Sequence, residues 1–235
     1  MKKTVLTDTR IDPKCEEALL FRGYDIIKIP PSPYLAPPVA SHPDMLLFVR
    51  GDALICEGRY YESNSRLIDR IADRGGFRVT LTEEMLSPDY PSDVLFNAAA
   101  IGGRLICRPT SVSREVRGLY PEDAIIKVRQ GYSKCACLTV GEYGVITADP
   151  SVASACRSAG LSVLQLGAHA VRLDGYDTGF IGGAGGDDGE HILFCGDLSR
   201  HPEGSAIADF CRRHSREPIS LSDGELYDYG TLIFI

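Results

Sequence analysis

The chain has 235 residues, of which 44% are hydrophobic and 24% are charged. A chain of this length and composition buries a large core without needing a disulfide or a metal. Its net charge of −7 disfavours nucleic acid and anionic lipid as partners and favours a small cationic ligand. No stretch approaches the roughly 20 apolar residues of a membrane span, and polar residues interrupt the N-terminal segment too early for a secretion signal. The sequence therefore predicts a cytoplasmic protein that binds neither nucleic acid nor membrane, and it leaves a homo-oligomer open.

Eight cysteines are spread along the chain. In a long chain without an export signal, they are better interpreted as reduced thiols than as a disulfide framework. Six of them lie at the ends of apolar runs or on predicted helices, where cysteine packs as a small hydrophobic side chain. These six structural cysteines are Cys15, Cys56, Cys107, Cys156, Cys195 and Cys211.

One pattern of apolar runs recurs along the chain: a short strand, a helix and a second strand. The copies are roughly 40 to 50 residues long, which lies in the range of propeller blades and exceeds most solenoid repeats. The first copy has strands at 4–7 and 25–29 around a helix at about 12–21. The other copies have strands at 53–56 and 77–81 around a helix at 64–72, at 104–107 and 124–128 around a helix at 112–117, at 144–147 and 161–166 around a helix at 151–158, and at 191–195 and 218–221 around a helix at 204–214.

The last four copies are each preceded by a further apolar strand and a glycine-containing turn, which is a hairpin pattern. These leading strands are predicted at 45–49, 94–98, 135–140 and 179–183. The first copy lacks one, but the chain ends on an apolar strand at 231–235. Because an apolar edge strand invites aggregation, we expect it to pair with the first strand.

The sequence thus predicts an α/β fold of five ββαβ repeats. We expect residues 1–235 to form a single domain of the α/β-propeller type, with the ring closed by pairing of the C-terminal strand with the N-terminal strand. The alternative is a doubly wound parallel sheet, which also alternates strands and helices. That alternative leaves the leading hairpin strands unexplained.

Each leading strand is entered through a short polar segment, and rotation about one axis would bring the five segments to one end of the ring. Clustered carboxylates repel one another and favour a cation, and a guanidinium pairs its planar donors with carboxylates two at a time. An aspartate before a strand is also a common turn residue, which is the alternative at each position. The candidate ligand-binding residues in or next to these segments are Asp44, Asp93, Asn97, Tyr132, Lys134, Asp177 and Asp228.

Cys135 is the candidate nucleophile, because it begins a leading strand and follows Lys134. A neighbouring ammonium lowers the pKa of a thiol, and a thiolate is needed for attack on a guanidinium carbon. Adjacent residues of a strand point to opposite faces, so Cys137 competes for the same face as Cys135. A buried structural thiol is the alternative for Cys135.

This arrangement resembles the pentein fold of the guanidine-modifying enzymes, which include arginine deiminases, dimethylarginine hydrolases and amidinotransferases, and of a non-catalytic ribosome-associated initiation factor. The resemblance implies a catalytic set of a cysteine at a strand entrance, a histidine in a His-x-Asp segment and a further acidic residue. The chain has residues of these three types in Cys135, His42 and Asp44. The chain departs from the family pattern in having no cysteine in its last strand, and His42 is equally explained as a turn residue after a proline-rich segment.

The glycine-rich stretch 179–186 lacks the Gly-Lys-Ser/Thr sequence of a phosphate loop, and two aspartates follow it. We interpret it as a tight turn whose glycines allow a close approach of backbone or ligand. The histidines and cysteines do not have zinc-site spacing. We therefore expect no metal and no cofactor.

Three functions stay open. The resemblance implies a cysteine-dependent hydrolase or amidinotransferase that acts on a guanidino or amine compound. A binding module on the same ring would hold a cationic metabolite without turnover, and an interaction protein would use the ring as a scaffold. The missing cysteine in the last strand weakens the first, and the polar strand entrances weaken the third.

Overall fold

The computed structural model describes residues 3–167 and 170–235. The strands are β1 (Thr4–Asp8), β2 (Asp25–Ile29), β3 (Leu47–Arg50), β4 (Ala53–Glu57), β5 (Arg78–Thr82), β6 (Ala99–Ile101), β7 (Arg104–Cys107), β8 (Ile125–Lys127), β9 (Leu138–Val140), β10 (Gly144–Thr147), β11 (Ser162–Gln165), β12 (Gly185–Asp187), β13 (His191–Phe194), β14 (Glu217–Ser220) and β15 (Ile233–Phe234). The helices are α1 (Pro13–Phe21), α2 (Pro43–Leu46), α3 (Gly58–Gly75), α4 (Arg114–Gly118), α5 (Ser133–Ala136), α6 (Pro150–Ser158) and α7 (Gly204–Arg213).

The described strands form five sheets of three strands each. In every sheet, the central strand pairs antiparallel with a leading strand and parallel with a third strand that follows a helix. The leading strands are β3, β6, β9, β12 and β15. Five copies of this unit confirm the predicted ββαβ repeats, and they replace the doubly wound alternative, which requires one continuous sheet.

The chain termini pair with each other, as the sequence predicted. Val5 of β1 lies opposite Phe234 of β15, and Leu6 lies opposite Ile233, in antiparallel register. The ladder extends to Thr4, whose backbone N–H donates to the carbonyl of Ile235 at 3.1 Å. The first sheet therefore takes its leading strand from the other end of the chain. Neighbouring sheets pack against one another, and no hydrogen-bonded ladder among the described strands joins them into one closed barrel.

The leading strands predicted at 45–49 and 135–140 begin too early, and those predicted at 94–98 and 179–183 lie wholly before the observed strands. Residues 43–46 and 133–136 form the helical turns α2 and α5, residues 94–98 precede β6, and residues 179–183 precede β12. Pro43 suits the first position of a helical turn, because its fixed φ matches the helix and its missing N–H needs no partner there. Apolar character alone does not separate a buried turn from a buried strand. As a result, Asp44 and Cys135 lie on helical turns at the strand entrances.

The five leading strands line one cavity of about 320 Å³. Close packing of β12 requires glycine at two positions. A Cβ on Gly186 would lie 2.2 Å from the carbonyl oxygen of Leu232 beside β15, and one on Gly185 would lie 2.4 Å from that of Leu193 on β13. The glycine-rich stretch is thus a place where backbones meet closely, which agrees with its interpretation from the sequence.

Within the described ranges, no helix has the length and apolar character that a membrane crossing requires. The single-domain organisation of residues 1–235 and the cytoplasmic location stay predictions.

Leu232 tests the dependence of the fold on the terminal pairing. This side chain is 2% exposed and packs in a core cluster with Val5 and Leu19. We expect Leu232→Ala to lower the free energy of unfolding by about 2–5 kcal/mol, because it leaves a cavity in the core cluster next to the terminal strand pair. The measurement is urea denaturation followed by circular dichroism.

Phe21→Ala is the matched control, because Phe21 is a large apolar side chain that is 92% exposed. We expect it to change the same free energy by no more than about 0.5 kcal/mol. Equal effects of the two substitutions would contradict a structural role for the C-terminal strand.

Candidate active site

Asp44 and Cys135 meet in the interior, although 91 positions separate them in the chain. Asp44 lies on α2 and Cys135 on α5, and both are almost completely buried. The Sγ of Cys135 lies 3.2 Å from Oδ2 of Asp44, so the thiol donates a hydrogen bond to the carboxylate. The turns at the entrances of β3 and β9 therefore bring a nucleophile and a proton acceptor together.

Asn97 fixes the position of Cys135. Its Oδ1 accepts hydrogen bonds from the backbone N–H groups of Lys134 at 2.8 Å and Cys135 at 3.2 Å. Its Nδ2 donates to the Sγ of Cys135 at 3.0 Å and lies 3.2 Å from the Sδ of Met45. Because Asn97 is completely buried, both ends of its amide are used to hold the α5 turn in place. We predicted Asn97 as a ligand contact, and in the structure it is hydrogen-bonded to the side chain and backbone of Cys135.

Thr231 joins the same cluster and was missed by the sequence analysis. Its hydroxyl lies 2.9 Å from both Oδ2 of Asp44 and the carbonyl oxygen of Gly182. The residue has φ 73°, a left-handed conformation that is rare for a β-branched side chain. The surrounding packing holds this conformation, which turns the hydroxyl toward Asp44. The only sequence signal was its position at the start of the terminal strand.

His42 lies between two carboxylates and not at the thiol. Its Nε2 is 3.8 Å from Oδ2 of Asp8, and its Nδ1 is 3.8 Å from Oδ1 of Asp228. Neither ring nitrogen has a hydrogen-bond partner among the described residues. The geometry therefore does not place His42 as the base for Cys135.

Asp8 was also missed by the sequence analysis, because nothing in the pattern of β1 marks its last residue. Its carboxylate forms an ion pair with Arg10 at 2.6 Å.

Asp228 is held by the backbone around it. Its Oδ2 accepts from the N–H of Phe180 and its Oδ1 from that of Gly230, both at 2.9 Å. A Cβ on Gly183 would lie 1.8 Å from Oδ1 of Asp228, so the glycine backbone covers this carboxylate directly. Burial nevertheless raises the pKa of Asp228, and the nearby His42 opposes that effect.

Burial and negative charge keep Cys135 protonated. Desolvation raises its pKa well above the ordinary value, and Asp44 and Asp228 raise it further, while the hydrogen bond from Asn97 acts in the opposite direction. Burial also lowers the pKa of Lys134. The sequence predicted that Lys134 lowers the pKa of the Cys135 thiol. Desolvation outweighs that effect, and its extent could not be deduced from the sequence. Cys137 packs in a separate core cluster with Cys156.

Tyr132 and Asp93 form a second pair near the same entrance. The hydroxyl of Tyr132 donates to Oδ2 of Asp93, and the ring stacks between Tyr90 and Phe180 with centroid distances of 6.0 and 6.1 Å. Burial raises the pKa of Asp93. Its Oδ1 has no hydrogen-bond partner in the described part of the chain.

Asp177 lies apart from these groups. Its side chain is exposed and lines a different cavity together with Asp174 and Arg200. Rotation of the repeats predicted that the carboxylates at the strand entrances lie close together. This holds for Asp44 and Asp228 but not for Asp177, because the segment before β12 is longer and runs over the surface.

The cavity inside the leading strands reaches the site. Asp44, Lys134 and Thr231 lie along its wall, as do Asp187 and Arg216, which form an ion pair at 2.7 Å. The cavity therefore gives a small ligand contact with the carboxylate that hydrogen-bonds Cys135. No group of three metal-ligating side chains is arranged around an ion in the chain as described.

The five ββαβ units, with polar groups at the strand entrances, form a fold of the pentein type. The sequence of the chain matches the model of the family of unknown function DUF6873 over residues 6–233, and the chain belongs to that family. No curated protein matches the sequence.

Solved structures with the same fold include dimethylarginine dimethylaminohydrolases and an amidinotransferase. A dimethylarginine dimethylaminohydrolase variant in adduct with S-methyl-L-thiocitrulline matches with TM-score 0.60 at 9% identity, covering 100% of both chains. The enzyme from Pseudomonas aeruginosa with citrulline matches with TM-score 0.57 at 10% identity, covering 94% of this chain and 92% of that one. An amidinotransferase of saxitoxin biosynthesis from Microseira wollei matches with TM-score 0.53 at 11% identity, covering 94% and 88%. These likenesses establish the fold.

The charge of Asp44 sets the acidity of Cys135 in this geometry. We expect Asp44→Asn to lower the pKa of the Cys135 thiol, because the neutral amide no longer repels a thiolate 3.2 Å away. The thiolate would then form at lower pH. The measurement is the ultraviolet absorbance of thiolate during a pH titration, with the Cys135→Ser protein subtracted.

Asp93→Asn serves as the control, since it neutralises a buried carboxylate that pairs with Tyr132 instead of the thiol. It should leave the Cys135 titration in place. A titration that Asp44→Asn leaves unchanged, or moves to higher pH, would contradict the assigned contact.

Proposed function

We propose that the chain binds a small guanidino or amine cation at Asp44 and acts on it through Cys135, as a hydrolase or an amidinotransferase. The observation that carries this proposal is the 3.2 Å contact between the Cys135 thiol and the Asp44 carboxylate at the entrance of two leading strands. The dimethylarginine hydrolase and the amidinotransferase among the solved structures of the same fold support the same class of ligand.

The charge distribution favours a cation. Asp44 and Asp228 are buried carboxylates close enough to raise the pKa of Cys135. Oδ1 of Asp44 has no hydrogen-bond partner in the described residues, so it is an acceptor that is free for a ligand N–H group. A guanidinium presents several N–H donors in one plane and pairs well with such an oxygen. The net charge of −7 adds a long-range electrostatic attraction for a cationic ligand.

The covalent step begins with proton transfer from the Cys135 thiol to Oδ2 of Asp44. The sulfur then bonds to the guanidinium carbon, and the carbon–nitrogen bond breaks as the leaving amine takes up a proton. The resulting amidino-thioether on Cys135 is released by water in a hydrolase, giving a ureido product, or by a second amine in a transferase. Thr231 remains hydrogen-bonded to Asp44 and keeps that carboxylate oriented.

Ligand charge would activate the thiol. Without a cationic ligand the thiol is protonated, because burial and two carboxylates raise its pKa. A bound cation would offset the negative charge and make ionisation of Cys135 less costly. Asp228, Lys134, Asp93 and Tyr132 stay proposed ligand contacts. His42 is proposed to act on the site through Asp8 and Asp228, whose carboxylate oxygens each lie 3.8 Å from one of its ring nitrogens.

Binding without turnover is the second candidate. Cys135 is only 3% exposed, and its raised pKa leaves little thiolate at neutral pH. A site of this kind could hold a cationic metabolite at Asp44 with the thiol serving as a hydrogen-bond donor. This alternative predicts the same ligands but no product.

The two candidates separate in one set of experiments. The protein is screened by thermal shift with arginine, agmatine, methylated arginines and simple amines, and each compound that stabilises it is assayed for ureido product, ammonia and amidino transfer to glycine. For an enzyme we expect Cys135→Ser to keep the thermal shift and lose the product, whereas Asp44→Asn loses both, because the carboxylate binds the ligand.

Asp177→Asn is the matched control, since it neutralises an exposed carboxylate away from the site. It should keep both signals. A thermal shift in the wild-type protein without any product would support the binding module instead. The absence of a shift with every cation, or a shift that Asp44→Asn leaves intact, would overturn ligand binding at Asp44 altogether.

A further inference from the structure

Lys134 differs from the other lysines of the described chain in having no carboxylate partner. The others form ion pairs at N–O distances of 2.6–3.5 Å: Lys3 with Asp188, Lys14 with Asp223, Lys28 with Glu16 and Lys127 with Glu122. Within residues 3–167 and 170–235, the Lys134 ammonium has neither an ion pair nor a hydrogen bond. Its backbone N–H donates to Oδ1 of Asn97 at 2.8 Å. The backbone of this lysine is therefore fixed, while its amine is left available.

The amine of Lys134 belongs to the wall of the cavity inside the leading strands. Lys134 is half-buried, and Asp44 and Thr231 line the same cavity. The cavity has a volume of about 320 Å³. A water molecule occupies about 30 Å³ in the liquid, so the cavity admits a small organic molecule. Burial lowers the pKa of Lys134, and the nearby Asp44 carboxylate opposes this effect only in part. Such a setting favours the neutral, nucleophilic form of the amine.

The other end of the cavity is open and carries arginines. Arg50 ends β3, is exposed, and lines the cavity together with Arg216 and Gly189. A strand advances about 3.3 Å per residue, so the four residues of β3 carry the wall about 10 Å from turn α2 to Arg50. Asp187 holds Arg216 at 2.7 Å, whereas Arg50 has no ion pair in the part of the chain that the structure describes. A guanidinium at a cavity mouth suits a carboxylate.

We propose that Lys134 forms an imine with a small aldehyde that carries a carboxylate, which binds at Arg50 and Arg216. The neutral Nζ bonds to the carbonyl carbon, and one of its protons passes to the carbonyl oxygen. The resulting carbinolamine loses its hydroxyl group and the second amine proton as water, which leaves a carbon–nitrogen double bond. One amine and one aldehyde give one imine and one water, without oxidation or reduction. Asp44 is the proposed proton carrier, because its Oδ1 has no hydrogen-bond partner in the described residues.

The test is reductive trapping of the full-length protein with 4-oxobutanoate and sodium cyanoborohydride at neutral pH. The reductant converts the imine to a stable secondary amine, which peptide mass spectrometry locates. We expect Lys134 to be modified several-fold faster than Lys14 or Lys127, whose ammonium groups are ion-paired. Butanal has the same chain length and no carboxylate, so it should modify Lys134 several-fold more slowly.

Variants separate the amine from the groups around it. Lys134→Arg keeps the positive charge and removes the primary amine, so the dominant adduct should disappear. Arg50→Gln keeps the amine and should reduce the preference for 4-oxobutanoate over butanal. Cys135→Ser should be trapped like the wild-type protein, which separates imine formation from the proposed cysteine chemistry. Circular dichroism of each variant shows that it is folded.

Two results would overturn the proposal. One is modification of Lys14 and Lys127 by 4-oxobutanoate as readily as of Lys134 in the folded protein. The other is equal modification of Lys134 by butanal and 4-oxobutanoate, since the arginines at the mouth would then have no role in binding.

Discussion

The antiparallel pairing of β15 with β1 is the contact on which the arrangement of the site depends. It places the last residues of the chain beside the first strand, with Val5 opposite Phe234. The segment that leads into β15 carries Asp228 and Thr231, which are thereby brought to His42 and Asp44. Without this return of the chain, the N-terminal sheet would keep an open edge and the buried carboxylates would lose their partners.

Burial of the carboxylates of Asp44 and Asp228 is unfavourable, and hydrogen bonds from neighbouring groups partly offset the loss of hydration. Backbone N–H groups stabilise Asp228, and the Thr231 hydroxyl and the Cys135 thiol approach Asp44. One oxygen of Asp44 and both nitrogens of His42 still lack hydrogen bonds within the described residues. Such incompletely satisfied polar groups persist where a ligand supplies the missing contacts, which is the physical basis for proposing a cation here.

Two cysteines of the same chain show how the local field decides thiol chemistry. Cys135 lies beside carboxylates, and burial together with their negative charge raises its pKa. The pKa of Cys15 is lowered, and the neighbouring Cys195 thiol is the largest cause. Both are almost fully buried. Burial by itself therefore does not fix the direction in which the pKa of a cysteine shifts, because the neighbouring groups also contribute.

The regular spacing of apolar runs was enough to predict the five repeats and the pairing of the termini. Each strand and helix has a characteristic local hydrophobic periodicity that can be recognised in the sequence. The same periodicity could not separate the turns α2 and α5 from the strands that follow them, since both are apolar and buried. Asp44 and Cys135 were identified as candidates from their place at the strand entrances. Their contact, the inclusion of Asp8 and Thr231 and the separation of Asp177 were decided only by the tertiary structure. The physical reason is that hydrogen bonds and desolvation depend on which distant segments meet within a few ångströms, and no local sequence pattern specifies those distances.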